Sequence, residues 1–412
     1  MRPSRMLAVT GLALLPLTVL PSQPAVSNTE PSPAMTTLLD WQMLTLQVVY
    51  VDGRVVFPPS TTAVAVPPPI APVYLGFTSL AVNDAVQTAA AGTASSSAAI
   101  AAAAHDVLEH YFPNTEATLD AALTSTLAKV PDGPAQRKGV RIGRHAAAEL
   151  IASRAGEVLG GSVPYTLDPA VPGNWTPPPT GMLASWLGYI KPLVVQDPAD
   201  LPGPDALTSA EYAADFNEVK LLGSKAGTNT EHKAIADFYY ANSTATYERA
   251  LVSYLRKNPI GVRKAAKLFA VANVAQADAI RVIWKNKLEI GFWRPVTAIP
   301  RAGEDNNPAT VADPTWEPYR VTPPYSDYAS GHGAFTGAFA EAVRMYLGND
   351  VPLTLVSVPS APLPSRSYSS LSALESEAFM ARIYSGIHFR KAMQDAYDFA
   401  HTTAHQVAAA IG

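Results

Sequence analysis

SSSAAIAAAAHDVLEHYF, residues 95–112, sets the fold class. Serines able to cap precede a run of strong helix formers, and the apolar residues recur at helical spacing. The same grammar returns in GPAQRKGVRIGRHAAAELIASRAGE (133–157), with proline near its first turn and apolar positions three and four apart. Working outward, the pattern predicts helices near 37–52, 72–91, 96–112, 115–130 and 134–157. A second set is predicted near 208–222, 229–242, 245–257, 262–290, 331–347, 371–385 and 390–410. Alternating runs are scarce. LQVVYVDGRVVF (46–57) reads as a hairpin with Asp52-Gly53 at its turn. The class is therefore all-α: helical bundles joined by long Pro-rich connections.

The chain of 412 residues is 48% hydrophobic and 16% charged, enough for one large domain or two modest ones. A net charge of −4 leaves no basic excess for nucleic acid and no polybasic run for anionic lipid. Residues 1–27 read as a signal peptide: Arg2 and Arg5 precede a short apolar core, and small residues follow near Ala25–Ser27. The expected address is secreted, periplasmic or otherwise extracytoplasmic, without stable membrane insertion. Cysteine is absent, which excludes disulfides and thiolate chemistry. Three further parts are expected: an N-terminal helical part (28–157), a Pro/Gly-rich crossover (158–206) and a C-terminal helical bundle (207–412). Trp175 and Trp186 suggest that the crossover packs on the body. Two bundles and one interlocked domain are equally open, and oligomeric state is unknown.

Three strings in the C-terminal part carry chemistry. WKNKLEIGFWRPVTAIP (284–300) places Lys287 and Arg294 seven apart, about two helical turns, so both cations are expected on one face at a helix end. Pro295 is expected to help end that helix. In DYASGHGAF (327–335), Ser330 can cap a helix, Gly331 lets backbone approach a ligand, and His332 can move a proton. In EAFMARIYSGIHFRKAMQDAY (377–397), Arg382 offers a planar fork to an oxyanion. His388, beyond a helix break at Gly386, offers a ring nitrogen to the anion's central atom. Taken together, these residues suit a tetrahedral oxyanion without a divalent cation.

The ordered set Lys287-x6-Arg294-Pro295, Ser330-Gly331-His332 and Arg382-x5-His388 resembles the signature shared by vanadium-dependent haloperoxidases and the type 2 phosphatidic acid phosphatase superfamily. The resemblance spans roughly residues 284–390 and implies a helical bundle. It also implies that His388 ligates vanadate, or takes up a phosphoryl group, and that His332 is the general acid–base. Lys287, Arg294, Ser330, Gly331 and Arg382 would hold equatorial oxygens. Phosphate can occupy the same site, because phosphoryl transfer passes through a similar in-line shape.

WKNKLEIGFWRP and TPPYSDYASGH resemble the chloroperoxidase branch, which makes Trp284 and Tyr325 candidates for a halide or substrate pocket. The implied activity is oxidation of halide by hydrogen peroxide at histidine-ligated vanadate. One alternative is a soluble acid phosphatase that acts on phosphomonoesters through a phosphohistidine. A third reading is a catalytically weakened oxyanion-binding protein. Three departures stand out: Ala329 replaces the usual proline, Ala381 the usual serine, and Ala392 the usual aspartate four residues after the histidine. The last removes the expected partner of His388. Elsewhere, His401 and His405 have i, i+4 metal-ligand spacing, and His105 and His110 share a helix without an obvious partner. Glu289 and Glu304 could pair with nearby cations.

Overall fold

Thirteen α-helices and two very short sheets, joined by short 3-10 and π turns and irregular segments, are found among the described residues of the computed structural model, which are 30–412 except 59, 197–199, 242 and 358–361. The segment read as a signal peptide lies outside them. In chain order the helices are α1 (Pro33–Gln47), α2 (Ala71–Ala90), α3 (Ser96–Tyr111), α4 (Glu116–Ala128), α5 (Pro134–Ser153), α6 (Ala210–Leu222), α7 (Thr230–Ala241), α8 (Ser243–Lys257), α9 (Val262–Glu289), α10 (Pro295–Ala298), α11 (Gly331–Leu347), α12 (Leu371–Tyr384) and α13 (Arg390–Ile411). The all-α expectation holds.

Residues 95–112 fold as their composition predicts. The Ser95 hydroxyl accepts from the Ala98 N–H at 3.3 Å and caps α3. The alanines from Ala98 to Ala104 are buried, so their small side chains let α5 and α2 pack closely against α3.

α9 is the spine. It packs on α2 on one side and on α11 and α13 on the other, and its residues Leu268–Ile280 are buried around the whole helix. One hydrophobic cluster runs from Met35 to Val407 through this helix. Among the described residues, no helix is long and apolar enough to cross a membrane.

The crossover is laced to α9 and to the turn beyond it. Trp175 and Trp186 are buried. The Trp175 N–H donates to the Gly291 carbonyl at 2.7 Å, and the Trp293 N–H donates to the Gly173 carbonyl at 2.8 Å. Buried Asp278 of α9 accepts the N–H groups of Leu193, Val194 and Val195 at 2.7, 3.0 and 2.9 Å. One carboxylate thus replaces the backbone partners that this irregular segment lacks.

Two local expectations are corrected. Residues 46–57 are not a hairpin. α1 runs on through a π-helical turn, Val48–Asp52, and the Gly53 N–H bonds back to the Val48 carbonyl. Leu46, Val48 and Val49 are all buried, so packing on neighbouring helices overrides the local alternation. Arg54–Val55 pairs instead with Val64–Ala65. Likewise Lys287 and Arg294 do not share a helical face. α9 ends at Glu289, the chain turns at Gly291, and Pro295 opens α10 rather than closing α9.

Asp278→Ala should lower unfolding free energy by about 3 kcal/mol, because three N–H groups lose a charged acceptor. Urea melts followed by far-UV circular dichroism would measure it. A change under about 0.5 kcal/mol, as for an ordinary surface site, would show that the clamp is unimportant.

Candidate functional site

Four helix ends converge on one point. The last turn of α9 supplies Lys287, and Arg294 is the residue that caps α10. Ser330 caps α11: its hydroxyl accepts from the Gly333 N–H at 3.3 Å, and its own N–H donates to the Ala392 carbonyl at 2.9 Å. This leaves Gly331 and His332 on the first turn, whose N–H groups have no partner within the helix. A Cβ on Gly331 would stand 2.9 Å from the Trp284 ring, so only glycine fits here. Arg382 lies in the last turn of α12. Gly386 then takes φ +73°, with Gly223 packed where a side chain would go, and the chain doubles back to deliver His388.

The three cations are buried to the last few per cent: Lys287 0%, Arg294 0% and Arg382 2% exposed. Carbonyl oxygens satisfy part of Lys287 and of Arg294. Lys287 Nζ donates to the Ser326 and Asp327 carbonyls at 2.8 Å. Arg294 Nε donates to the Tyr325 carbonyl at 2.9 Å, and its Nη1 to the Ile387 carbonyl. Arg294 Nη2 and both Nε and Nη1 of Arg382 have no hydrogen-bond partner. Unpaired guanidinium donors are costly in a protein interior. Burial, reinforced by the neighbouring cations, holds Lys287 well below the usual lysine range; burial first lowers Arg294 and brings Arg382 to about 10. Taken in their charged forms, three cations and one carboxylate, Asp327, sum to +2, the complement of a dianionic tetrahedral oxyanion.

Both histidines are held well below the usual imidazole range, first by burial and then by these cations. His332 keeps part of its ring open to a cavity, whereas His388 is 1% exposed. Arg294 Nη1 lies 3.3 Å from Nδ1 and 3.1 Å from Nε2 of His388. Asp327 Oδ1 stands 2.8 Å from His388 Nδ1, off the line of a ring N–H, and 3.6 Å from Arg294 Nη1. Burial pushes the Asp327 carboxyl up to about 7, against the pull of Arg294 and Lys287.

A cavity of about 210 Å³ opens onto His332, Gly331 and Arg382. Trp284 and Tyr325 both line it, with ring centroids 4.9 Å apart. Lys287 Nζ lies 5.8 Å from the Trp284 ring and 5.2 Å from the Tyr325 ring, and Arg294 lies 5.1 Å from Tyr325. These aromatic faces attract the cations electrostatically.

The structure brings together all nine residues singled out in the sequence. It adds some that sequence reasoning missed. Tyr50, Pro68 and Pro69 of the N-terminal part and Leu183 of the crossover wall the cavity, and no local motif marks them. Asp327 lay inside a quoted motif, where its charge in an otherwise uncharged SDYASGHG run was the available signal.

The other candidates resolve as structural pairs. His401 binds Glu375 at 2.7 Å and His405 binds a different glutamate, Glu341, at 2.9 Å. His105 does have partners: its ring nitrogens contact Asp106 at 2.8 Å and Asp120 at 3.1 Å. His110 packs edge-on against Tyr111. Glu304 pairs with Arg301, and Glu289 reaches Lys285 at 4.0 Å.

Residues 267–411, which hold every one of the nine, match the VCPO second helical-bundle domain. A vanadium chloroperoxidase of Curvularia inaequalis is 36% identical over 96 residues, 21% of this chain and 15% of that protein's length. The chain therefore aligns with only a small part of this relative. Over whole chains, a bacterial vanadium-dependent iodoperoxidase superposes with a TM-score of 0.71 at 19% identity, covering 92% of this chain and 96% of its own. The apo form of a bacterial vanadium-dependent chloroperoxidase superposes with a TM-score of 0.62 at 14% identity, covering 95% and 96%. The fold is that of the vanadium haloperoxidases, and the signature-bearing bundle is similar to theirs in sequence too.

An anion in the cradle should raise the affinities of Lys287 and His332 for protons, since it reverses the repulsion that now depresses them. Binding of inorganic phosphate or orthovanadate near pH 7 should therefore take up protons. Calorimetry in buffers of different ionisation enthalpy would measure this, and proton release would contradict it. Arg382→Ala should weaken binding by about 100-fold, the worth of about 2.7 kcal/mol of charge-assisted hydrogen bonding.

Proposed function

We propose that the chain is an extracytoplasmic haloperoxidase that binds vanadate at His388 and oxidises halide with hydrogen peroxide. The observation that carries this reading is the set of unpaired, fully buried guanidinium donors of Arg294 and Arg382 beside His388. Among the described residues no group answers them, and a tetrahedral oxyanion would. Phosphate fits the same cradle. In this reading residues 207–412 hold the anion, while the N-terminal part and the crossover close the mouth of the cavity.

Each residue has a role that its chemistry supports. Lys287, Arg294 and Arg382 would neutralise the equatorial oxygens, helped by the Ser330 hydroxyl and the Gly331 N–H. His388 would supply a ring nitrogen to the central atom. When bound, vanadate supplies a Lewis-acidic centre that activates hydrogen peroxide toward halide. His332 faces the cavity and, with its depressed basicity, is neutral near pH 7. It can therefore accept a proton from hydrogen peroxide entering there and return it as product leaves. Trp284 and Tyr325 would screen this path from bulk water and flank the halide.

Purified protein should oxidise bromide or iodide with hydrogen peroxide only after addition of orthovanadate. His388→Ala should abolish that activity while leaving the circular dichroism spectrum intact. Hydrolysis of p-nitrophenyl phosphate that vanadate merely inhibits, without halide oxidation, would overturn the reading in favour of a phosphatase.

A further inference from the structure

We propose that Asp327 is the positioning residue of His388, standing in for the acid that Ala392 does not supply. The inference rests on the oxyanion reading of the site but concerns the protein's own residues. Asp327 Oδ1 is 2.8 Å from His388 Nδ1, and both side chains are 1% exposed. The carboxylate is aimed by a backbone fixed at both ends: the Asp327 N–H donates to the Phe292 carbonyl at 2.9 Å, and its carbonyl accepts from Lys287 at 2.8 Å. Neither carboxylate oxygen is in full hydrogen-bond geometry with any partner among the described residues, and besides the cations only the backbone of Phe389 pulls the carboxyl down. The acid next along α13, Asp395, is occupied with the Tyr328 hydroxyl at 2.7 Å and Lys391 at 2.9 Å. Ala392 lines the same small cavity as Asp327.

The consequence is chemical. A carboxylate facing Nδ1 draws the ring proton there and leaves the lone pair on Nε2, the nitrogen that must meet the anion. Arg294 Nη1 lies 3.3 Å from Nδ1 and 3.1 Å from Nε2 of the ring. An oxyanion that takes this guanidinium would leave Nε2 open to the central atom, with Nδ1 still facing Asp327. The residue thus couples two jobs: its carbonyl holds Lys287 and its carboxylate sets the tautomer of His388.

Two readouts test this in the full chain. Long-range proton–nitrogen spectra of ¹⁵N-histidine-labelled, anion-free protein report the His388 tautomer, assigned by its loss in His388→Gln. The other is orthovanadate affinity by calorimetry. Wild type should carry the proton on Nδ1. Asp327→Ala should show mixed tautomers and bind orthovanadate about 10–100-fold more weakly. Asp327→Asn should keep the Nδ1–H form through its amide oxygen and lose less affinity. Adding Ala392→Asp to Asp327→Ala should restore much of both. An Asp327→Ala protein with unchanged tautomer and affinity would overturn the proposal, as would affinity loss that Ala392→Asp fails to rescue. If wild type binds no orthovanadate, the oxyanion reading fails, whereas the tautomer still decides the role of Asp327.

Discussion

Three cations, Lys287, Arg294 and Arg382, are buried around one point, and the carboxylate of Asp327 faces two of them, Arg294 and Lys287. Much of the surrounding architecture answers that constraint. The loops at 325–327 and 387 turn their carbonyl groups inward because guanidinium and ammonium donors must be met by something. Two aromatic rings lie close to the same charges. Even so, three guanidinium nitrogens stay unpaired. Such unanswered groups are what the proposed oxyanion would meet.

Holding like charges together demands a rigid frame. Each comes from a helix terminus or from the residue just beyond one, and the helices that carry them share one core with the N-terminal part. The crossover adds the remaining constraint. It bonds to the turn at 291–293, and Asp278 fastens it to α9. The Phe292 carbonyl in turn fixes Asp327. A segment whose regular structure among the described residues is one short 3-10 turn, Ser185–Tyr189, thereby braces the turn between Lys287 and Arg294.

The helices and the grouping of the nine candidate residues were legible because both leave local marks: 3.6-residue periodicity for the first, ordered short strings for the second. The hairpin at 46–57 failed because β-branched residues and Asp-Gly say nothing of the buried neighbours that keep α1 going. The shared helical face for Lys287 and Arg294 failed because spacing was read as geometry. The residues do meet, but through a turn and a new helix. Tyr50, Pro68 and Pro69 were invisible because they reach the cavity only through tertiary packing. Asp327 was in plain sight, but the absence of an acid at Ala392 was weighed along the helix, where a residue of a different loop could not be seen to compensate.

The central claim is that this cradle binds a tetrahedral oxyanion on His388. A crystal structure of the protein soaked in orthovanadate tests it most directly. The account predicts vanadium bonded to His388 Nε2, equatorial oxygens on Lys287, Arg294 and Arg382, and the Arg294–His388 contact broken. An anion bound elsewhere with Arg294 still against the imidazole, or a cradle that stays empty at saturating orthovanadate, would contradict it.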